Sequence, residues 1–459
     1  MGVMSGAIIY IQKDLHISQV QQEILVGCLS IVSIFGSLAG GRTSDVIGRK
    51  CTMGLAAVVF QSGALIMALA PSFPVLMSGR LLSGIGIGFG IMIAPVYIAE
   101  ISPSSARGSL TSFPEIFINV GILLGYISNY LLSGLPYHIS WRLMLGVVIL
   151  PSVFIGITLI RIPESPRWLV AQNRAEEARL VLSMVTENDD ETEQRLVEIV
   201  EAAELHKTEQ KQQQQPPPVW HELVLNPSPP IRRMLIAGCG IQCFQQITGI
   251  DATVYYSPAI FSNAGIKSDK EILAATVGVG CVKTASILVA ISLIDRVGRK
   301  PLLYVSTSGM TVCLFALGVS LASLKHGLIS QRVGISLAIW AVCTNVAFFS
   351  LGIGPICWVI TSEVFPLRLR AQASALGAVG SRVSSGLIAM SFLSVARAIS
   401  VGGIFFIFSV ISALSVGFVH WCVPETMGKT LEQIEIEMAA VSEFKRVGRG
   451  EAVGSGEAR

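Results

Sequence analysis

The sequence predicts an all-α membrane protein built from two pseudo-symmetric six-helix bundles, with an incomplete first helix. Three observations indicate this fold. The 459 residues are 52% hydrophobic and only 14% charged. Eleven apolar stretches have the length of a membrane span, and three charged motifs of the first half recur in the same order in the second half.

The charged residues are concentrated in two segments. Of the 63 Asp, Glu, Lys and Arg residues, 33 lie in Pro163–Arg233 and Pro424–Arg459, so the other 352 residues carry only 30. A surface that faces water needs a much higher density of charge. Those 352 residues therefore have lipid as their main solvent, which excludes a cytosolic enzyme and a secreted disulfide scaffold.

Membrane spans need about 20 mostly apolar residues each. Eleven stretches satisfy this length: 22–41, 52–70, 75–99, 110–132, 143–161, 234–262, 272–294, 301–322, 334–361, 372–396 and 402–422. A twelfth, Gly2–Ile11, is apolar but only half a span long. The predicted division is a first bundle over 1–162, a central loop over 163–232, a second bundle over 233–423 and a tail over 424–459. The loop has helical character and a Gln/Pro linker.

Basic residues cluster on one predicted face, which we name the motif face; the other is the opposite face. Clusters at 42–50, 107, 296–300 and 368–370 alternate with weakly charged loops. Excess Lys and Arg marks cytoplasmic loops, so the motif face is expected to be cytoplasmic. The N-terminus has no signal-peptide pattern.

The two bundles repeat each other. Asp45-Val-Ile-Gly-Arg-Lys50 recurs as Asp295-Arg-Val-Gly-Arg-Lys300, the Glu100 to Arg107 segment recurs as Glu363 to Arg370, and Pro163-Glu-Ser recurs as Pro424-Glu-Thr. Parallel repeats joined by a loop are typical of transporters that hold substrate between the halves at mid-membrane.

The wording of these motifs resembles the sugar porter family of the major facilitator superfamily over essentially the whole chain. The segments that carry the resemblance are GGRTSDVIGRK, PVYIAEISPSSARG, PESPRWL, QCFQQITGIDATVYYSP, DRVGRKPLL, GPICWVITSEVFPLRLRA and PETMGKTLEQIE. Within the family, the chain looks most like the plant polyol and monosaccharide proton symporters.

The resemblance implies a transporter of a polyol or monosaccharide that works by alternating access with proton symport. In the family, the proton is carried by an Asp of the first helix paired with an Arg that matches Arg80. That Asp position would lie before Met1, so we expect either an incomplete gene product, which we favour, or altered coupling. A proton-independent facilitator and a transport-incompetent sensor remain alternatives. No nucleophile–base set is present, so an enzyme is not expected.

Glu115, Asp251, Lys283 and Arg382 fall within predicted spans, and Arg80 lies near the start of one. A charge at membrane depth is costly and usually faces a bundle interior or a pathway. We expect these side chains to line a polar cavity. Internal ion pairing, for example of Asp251 with Lys283, is the alternative.

Gln245, Gln246, Asp251, Tyr255 and Tyr256 are predicted to share one continuous helix. Amide groups donate and accept hydrogen bonds, as sugar hydroxyls do. By resemblance, the glutamines and Asp251 face the sugar, and the tyrosines close over it, although tyrosines also anchor helices at membrane surfaces.

Two further positions are assigned to substrate by resemblance. Glu115 matches a position that is often Gln in hexose carriers, as Asp251 matches one that is often Asn. Trp358 follows a helix-weakening Gly352-Ile-Gly-Pro355 segment and matches the base of the sugar site. A core or lipid-facing Trp is the alternative.

A gating network is predicted on the motif face. Asp45 is expected to pair with Arg107, and Asp295 with Arg370, when that face is closed. These groups could instead only mark topology. The full predicted network comprises Asp45, Arg49, Glu100, Arg107, Glu164, Asp295, Arg299, Glu363, Arg370 and Glu425.

Other chemistries are not predicted. The chain has no basic, aromatic-interleaved stripe for nucleic acid and no CxxC pair among its nine cysteines. Gly84-Ile-Gly-Ile-Gly-Phe-Gly90 lies inside an apolar span, so it predicts close helix packing rather than dinucleotide binding. No metal or cofactor is expected; the expected partners are a sugar or polyol, protons and the lipid bilayer of the plasma membrane, with the chain acting as a monomer.

Overall fold

The computed structural model describes residues 1–102, 110, 113–186, 188–212, 223, 225, 227–365 and 369–427. Its helices in the first half are α1 (Gly2–Leu15), α2 (Gln19–Ile47), α3 (Arg49–Ala68), α4 (Phe73–Ile101), α5 (Phe113–Leu132), α6 (Tyr137–Val147) and α7 (Ile149–Arg161). The central segment forms α8 (Pro166–Ala171), α9 (Ala175–Ser183) and α10 (Asp189–Gln212). The second half contains α11 (Pro229–Ile247), α12 (Ile250–Asn263), α13 (Asp269–Val297), α14 (Arg299–Lys325), α15 (Gln331–Leu351), α16 (Ile353–Val364), α17 (Arg370–Ile399) and α18 (Val401–Cys422).

The predicted spans coincide with helices. In the described part of the chain, ten segments are long and apolar enough to cross a membrane, with α6–α7 and α15–α16 each counted as one. The predicted stretch 234–262 is not among them, and Gly249 divides it between α11 and α12. The partial first span, Gly2–Ile11, lies in α1.

The prediction that Gln245 and Asp251 share one continuous helix is wrong. Gly249 separates α11 from α12 with a left-handed φ of 82°. A Cβ at this position would lie 2.5 Å from the ring of Phe408, so the residue can only be Gly. The helical-wheel angle between Gln245 and Asp251 therefore does not apply.

A second break, at Gly352, was expected from the sequence and is confirmed. It separates α15 from α16, and a Cβ at this position would overlap the side chain of Ser306 on α14. The Ser306 hydroxyl accepts a hydrogen bond, 3.1 Å long, from the backbone N–H of Ile353. The helix is therefore interrupted at Gly352, and the interruption allows the backbone to pack closely on α14.

The glycines of α4 permit close helix packing, as predicted. A Cβ on Gly86 would lie 2.6 Å from the backbone nitrogen of Phe60 on α3, and one on Gly88 would overlap backbone atoms of α2. Small residues at such positions let backbones approach in lipid, where hydrophobic burial does not drive helix association.

In the described part of the chain, the most extensive packing between the first half and the second is that of α1 on α12, α2 on α17, and α5 on α13. The central helices α8, α9 and α10 pack on each other around Leu169, Val170, Ala178 and Val181. Arg195 of α10 donates a 2.8 Å hydrogen bond to the carbonyl of Ser102 at the end of α4. The central segment is therefore attached to the first half.

Candidate functional site

The two halves are joined by direct contacts near the opposite face. Lys13 at the end of α1 forms an ion pair with Asp269 at the start of α13, with 2.5 Å between Nζ and Oδ2. Glu23 of α2 accepts two hydrogen bonds from Ser394 of α17, 2.6 Å from the backbone nitrogen and 2.5 Å from the hydroxyl. The Glu23 residue is only 2% exposed, so this carboxylate is buried between the halves.

Further cross-half hydrogen bonds lie at mid-depth. The hydroxyls of Ser30 and Ser385 are 3.2 Å apart. The Tyr126 hydroxyl donates to the carbonyl of Val254 over 3.0 Å.

A further hydrogen bond between the halves is that of Thr284 on α13, whose hydroxyl lies 3.5 Å from the Asn119 carbonyl on α5. No hydrogen bond of the described residues joins the halves through the motif-face ends of α2, α13 and α17. The described hydrogen bonds and ion pair between the halves therefore lie near the opposite face and at mid-depth.

Asp251, on the first turn of α12, is 9% exposed and accepts a very short hydrogen bond from the Ser385 hydroxyl. Ser385 in turn contacts Ser30 of the first half. Asp251 is therefore linked through one side chain to the interface between the halves.

Lys283 lies at the midpoint of α13 and is 8% exposed. Its charge interacts with the carboxylates of Glu115 and Asp251. Within the described part of the chain, no carboxylate is close enough to form a direct ion pair with it, so the suggested Asp251–Lys283 ion pair is not formed in this state.

Glu115 lies in the first turn of α5, in the first half. Asn119 donates one long hydrogen bond of 3.4 Å to its Oε1. Its charge also interacts with Lys283, Arg382 and Asp251, all of the second half. The structure thus places four of the five predicted intramembrane charges in one electrostatic group.

Arg80, the fifth charge, lies on α4 and is 5% exposed. Its Nε donates a 3.0 Å hydrogen bond to the carbonyl of Leu25, while its Nη2 is buried without a partner among the described residues. Arg80 is therefore held by α2 and has one donor left over.

The two predicted glutamines differ in their roles. Gln245 is 4% exposed and donates a 2.9 Å hydrogen bond to the carbonyl of Gly354 on α16. Gln246 donates to the Oε1 of Gln245 over 3.3 Å, and its own Oε1 is buried without a partner in the described structure. Gln245 braces the start of α16, whereas Gln246 keeps an acceptor oxygen that no described group satisfies.

Both predicted tyrosines are 1% exposed, which does not fit anchoring at a membrane surface. The Tyr255 hydroxyl has no hydrogen-bond partner among the described residues. Arg80 and Arg382, from different halves, lie close enough to act electrostatically on this hydroxyl. The Tyr256 hydroxyl donates to the carbonyl of Ala389 over 2.8 Å, and its ring stacks on Phe392 with centroids 4.9 Å apart. Tyr255 is therefore the tyrosine with a free polar group.

Trp358 lies on α16, one turn after Gly354, and is 39% exposed. The core alternative for this indole does not fit that exposure. Its position on the helix that Gln245 braces keeps the predicted substrate contact open.

The motif residues form one network in each half. In the first, Arg49 contacts Glu100 through Nε and Nη2 at 3.0 and 3.1 Å, and Asp45 at 3.1 Å. Glu164 accepts hydrogen bonds from the backbone nitrogens of Arg49 and Lys50 at 2.9 and 3.1 Å.

The second half repeats this arrangement. Arg299 contacts Glu363 at 3.2 Å, and Glu425 accepts from the backbone nitrogens of Arg299 and Lys300 at 3.2 and 2.9 Å. Partial burial by itself would raise the pKa of Glu425, but these backbone N–H groups and those of Thr426 and Met427 outweigh burial and lower it.

The predicted cross-helix pairs of the motif face stay predictions. Arg107 lies outside the described residues, as do the side chains of Asp295 and Arg370. Sequence reasoning missed Glu23, although this residue is the one carboxylate inside the predicted span 22–41. A carboxylate inside an apolar span is costly unless it has a partner, and this rule applied to Glu23 would have marked it as a candidate.

Known proteins resemble this chain over most of its length. The Sugar (and other) transporter family matches residues 5–438. The chain is 67% identical to probable polyol transporter 4 of Arabidopsis thaliana, over 95% of this chain and 81% of that protein.

Solved structures of sugar transporters have the same fold as this chain. The inward open conformation of the xylose transporter XylE from E. coli is 26% identical, covers 95% of both chains and gives a TM-score of 0.78. The proton:xylose symporter XylE bound to 6-bromo-6-deoxy-D-glucose, also 26% identical over 95% of both chains, gives a TM-score of 0.75. This chain therefore belongs to the Sugar (and other) transporter family, as a multi-pass sugar porter of the major facilitator superfamily close to the plant polyol transporters.

Proposed function

We propose that this chain moves a polyol or monosaccharide across the plasma membrane by alternating access, with proton symport, and that it works as a monomer. The motif face is assigned to the cytoplasm because of its Arg and Lys content. With the motif face inside, the contacts of Lys13 with Asp269 and of Glu23 with Ser394 lie on the outer side and support an outward-closed state.

The observation that carries the proposal is a pair of buried polar atoms without protein partners, one on α11 and one on α12. In the described structure, Gln246 Oε1 and the Tyr255 hydroxyl are buried and have no hydrogen-bond partner. Buried polar groups are normally satisfied, so such atoms mark a place for a ligand. A ligand with several hydroxyls fits, because each hydroxyl both donates and accepts hydrogen bonds.

The relatives support the substrate class and the coupling. The Arabidopsis relative is named a probable polyol transporter, and XylE is described as a proton:xylose symporter. Asp251 acts electrostatically on Tyr255, and Glu115 and Asp251 act on each other, so these two carboxylates are the candidate proton acceptors.

Uptake of labelled sorbitol, xylitol, inositol and glucose tests the proposal in cells that express the chain, at pH 5 and pH 7.5, with and without a protonophore. We expect saturable uptake that rises at pH 5 and is lost with the protonophore. Uptake indifferent to pH would replace symport by facilitated diffusion. Absence of uptake despite surface expression would overturn transport by this chain.

The site is tested by Gln246→Ala, matched with Gln12→Ala on the exposed end of α1. Loss of one ligand hydrogen bond costs about 1 kcal/mol, so KM should rise roughly fivefold for the Gln246 variant alone. Equal KM values for the two variants would contradict the assigned site.

A further inference from the structure

Lys283 is a buried cation that neither half neutralises by direct contact. It lies at the midpoint of the 29-residue helix α13, about 21 Å from either end at 1.5 Å per residue. An ammonium group at this depth is retained only where it has a function or a compensating charge. No direct ion pair forms in the described structure, so its compensation comes from charges at longer range.

Two carboxylates supply that compensation, Glu115 on α5 and Asp251 on α12. Asp251 belongs to the same half as Lys283 and is already bonded to Ser385. Glu115 belongs to the other half, and among the described residues its carboxylate accepts one long hydrogen bond, from Asn119. Glu115 is therefore the carboxylate whose charge acts across the halves.

The position of this pair along the α5–α13 seam is informative. Towards the opposite face, Leu123 and Tyr126 pack directly on Gly280. At the next level, Thr284 lies against the carbonyl of Asn119. Glu115 is one turn further along α5, and Lys283 is the neighbour of Thr284, so both charged residues lie close to the level at which Asn119 and Thr284 join the halves.

We propose that Glu115 and Lys283 form the charge pair that couples proton binding to the movement of the two halves. This inference rests on the proposed proton symport and names its site. A proton from water on the outer side binds an Oε atom of Glu115, and the same proton later leaves that atom for water on the motif-face side. The ionised carboxylate attracts Lys283 across the seam, and the protonated carboxyl does not.

Other charged groups act on Glu115 as well. Arg382 of α17 adds positive charge, Asp251 of α12 adds negative charge, and the Cys357 thiol of α16 lies close to the carboxyl. Arg382 and Asp251 have opposite signs, so their fields on Glu115 oppose each other. Lys283 is then the group through which the protonation state of Glu115 acts on α13.

The experiment measures the ratio of initial uptake at pH 5 to that at pH 7.5, for whichever of sorbitol, xylitol, inositol and glucose the wild-type chain accumulates most. Lys283→Gln should bring this ratio to about 1 and abolish accumulation against a gradient. Lys283→Arg keeps the charge and should retain the ratio. Lys267→Gln, at an exposed lysine between α12 and α13, is the matched control and should behave as wild type.

The outcomes distinguish failure of the Glu115–Lys283 pair from failure of the proposed proton symport. A wild-type ratio near 1 would overturn proton symport itself. A wild-type ratio well above 1 that Lys283→Gln retains would overturn the pair while leaving symport standing.

If Lys283→Gln does not reach the membrane, the double variant Glu115→Gln, Lys283→Gln tests whether the two charges compensate each other. Restored membrane levels with a pH ratio near 1 support mutual compensation across the halves. Levels as low as those of the single variant would show that Glu115 is not the compensating charge and overturn the pair.

Discussion

Asp14 shows how one carboxylate can join three helices. Its Oδ2 accepts hydrogen bonds of 2.9 Å from Trp141 Nε1 and 2.8 Å from Arg142 Nη1. Arg142 also donates to the carbonyl of Ala70 after α3, and its guanidinium lies 4.1 Å from the fully buried Trp141 ring. The polar end of α1 is thus fixed to α6 and to the end of α3.

The pKa of Asp14 follows from the same contacts. Partial burial by itself would raise it, but the hydrogen bonds and charge of Arg142, with the bond from Trp141, lower it below its ordinary value. A depressed folded pKa contributes stability that is present above the unfolded value near 4 and is lost as pH falls through the folded value. Asp14 is therefore ionised and stabilising throughout pH 5 to 7.5.

Asp14→Ala is expected to destabilise the protein by about 2 kcal/mol, because it leaves buried donors of Trp141 and Arg142 without their acceptor. The midpoint of thermal unfolding in detergent should fall by several degrees, and by the same amount at pH 5 and pH 7.5. Glu201→Gln, at an exposed position of α10, is the control. A difference that shrinks at pH 5 would contradict the lowered pKa.

At the scale of elements, α3 and α14 begin in the same way. Each follows a glycine with positive φ, 94° at Gly48 and 101° at Gly298. Each then presents its first backbone N–H groups to a distant carboxylate, Glu164 or Glu425. Helix N-termini leave such donors unsatisfied and favour negative charge, so the two carboxylates act as caps supplied from the end of each half.

Glu425→Gln removes the charge from one cap while keeping one acceptor oxygen. The first turn of α14 should open more easily by about 1 kcal/mol, since charge-assisted hydrogen bonds are stronger than neutral ones. Amide hydrogen exchange at Arg299 and Lys300 should become roughly fivefold faster, and the first turn of α3 should be unaffected. Uniformly faster exchange in both halves would indicate global destabilisation rather than loss of a cap.

The positions of the spans could be predicted because bilayer thickness sets the length of an apolar stretch. The break at Gly352 was also visible, since Gly and Pro cluster there. The break at Gly249 was not, because it depends on the ring of Phe408 from a remote helix. The distinct partners of Gln245 and Gln246 follow from that break and were equally out of reach.

Candidate residues were easier to predict than their contacts. Charges inside apolar stretches identified Asp251, Lys283 and Glu115, because lipid rarely tolerates charge without function. Ser385 gave no such signal, and neither did the pairing of Glu23 with Ser394, which lies 371 positions away. Only the packing of α2 on α17 brings them together.

For the whole molecule, the observed state is held by contacts near the opposite face. Gly27 of α2 packs directly on Met390 and Gly386 of α17, just beyond the Glu23–Ser394 contact. Opening the opposite face must separate these atoms and hydrate Glu23. Alternating access is an equilibrium between such states, so a weakened contact shifts the population rather than the chemistry.

Glu23→Ala is expected to shift this equilibrium towards a state open at the opposite face. Hydrogen bonds to a charged group contribute about 1.5–3 kcal/mol each, less the cost of burying the carboxylate, so about 1.4 kcal/mol, or a tenfold population shift, is a conservative expectation. Cys28, on the next turn of α2 and 6% exposed, is the natural reporter. Its reaction with a charged thiol reagent added from the opposite face should become roughly tenfold faster.

The same measurement on Glu23→Ala, Cys28→Ser subtracts labelling of the exposed Cys51 and Cys281. Ser394→Ala removes the hydroxyl donor but leaves the backbone N–H, so its effect should be in the same direction and smaller. If both single variants label Cys28 at the wild-type rate, the Glu23–Ser394 contact does not hold the opposite face closed. The remaining candidates would then be the Lys13–Asp269 ion pair and the glycine packing of α2 on α17, which Gly27→Ala would test by the same labelling.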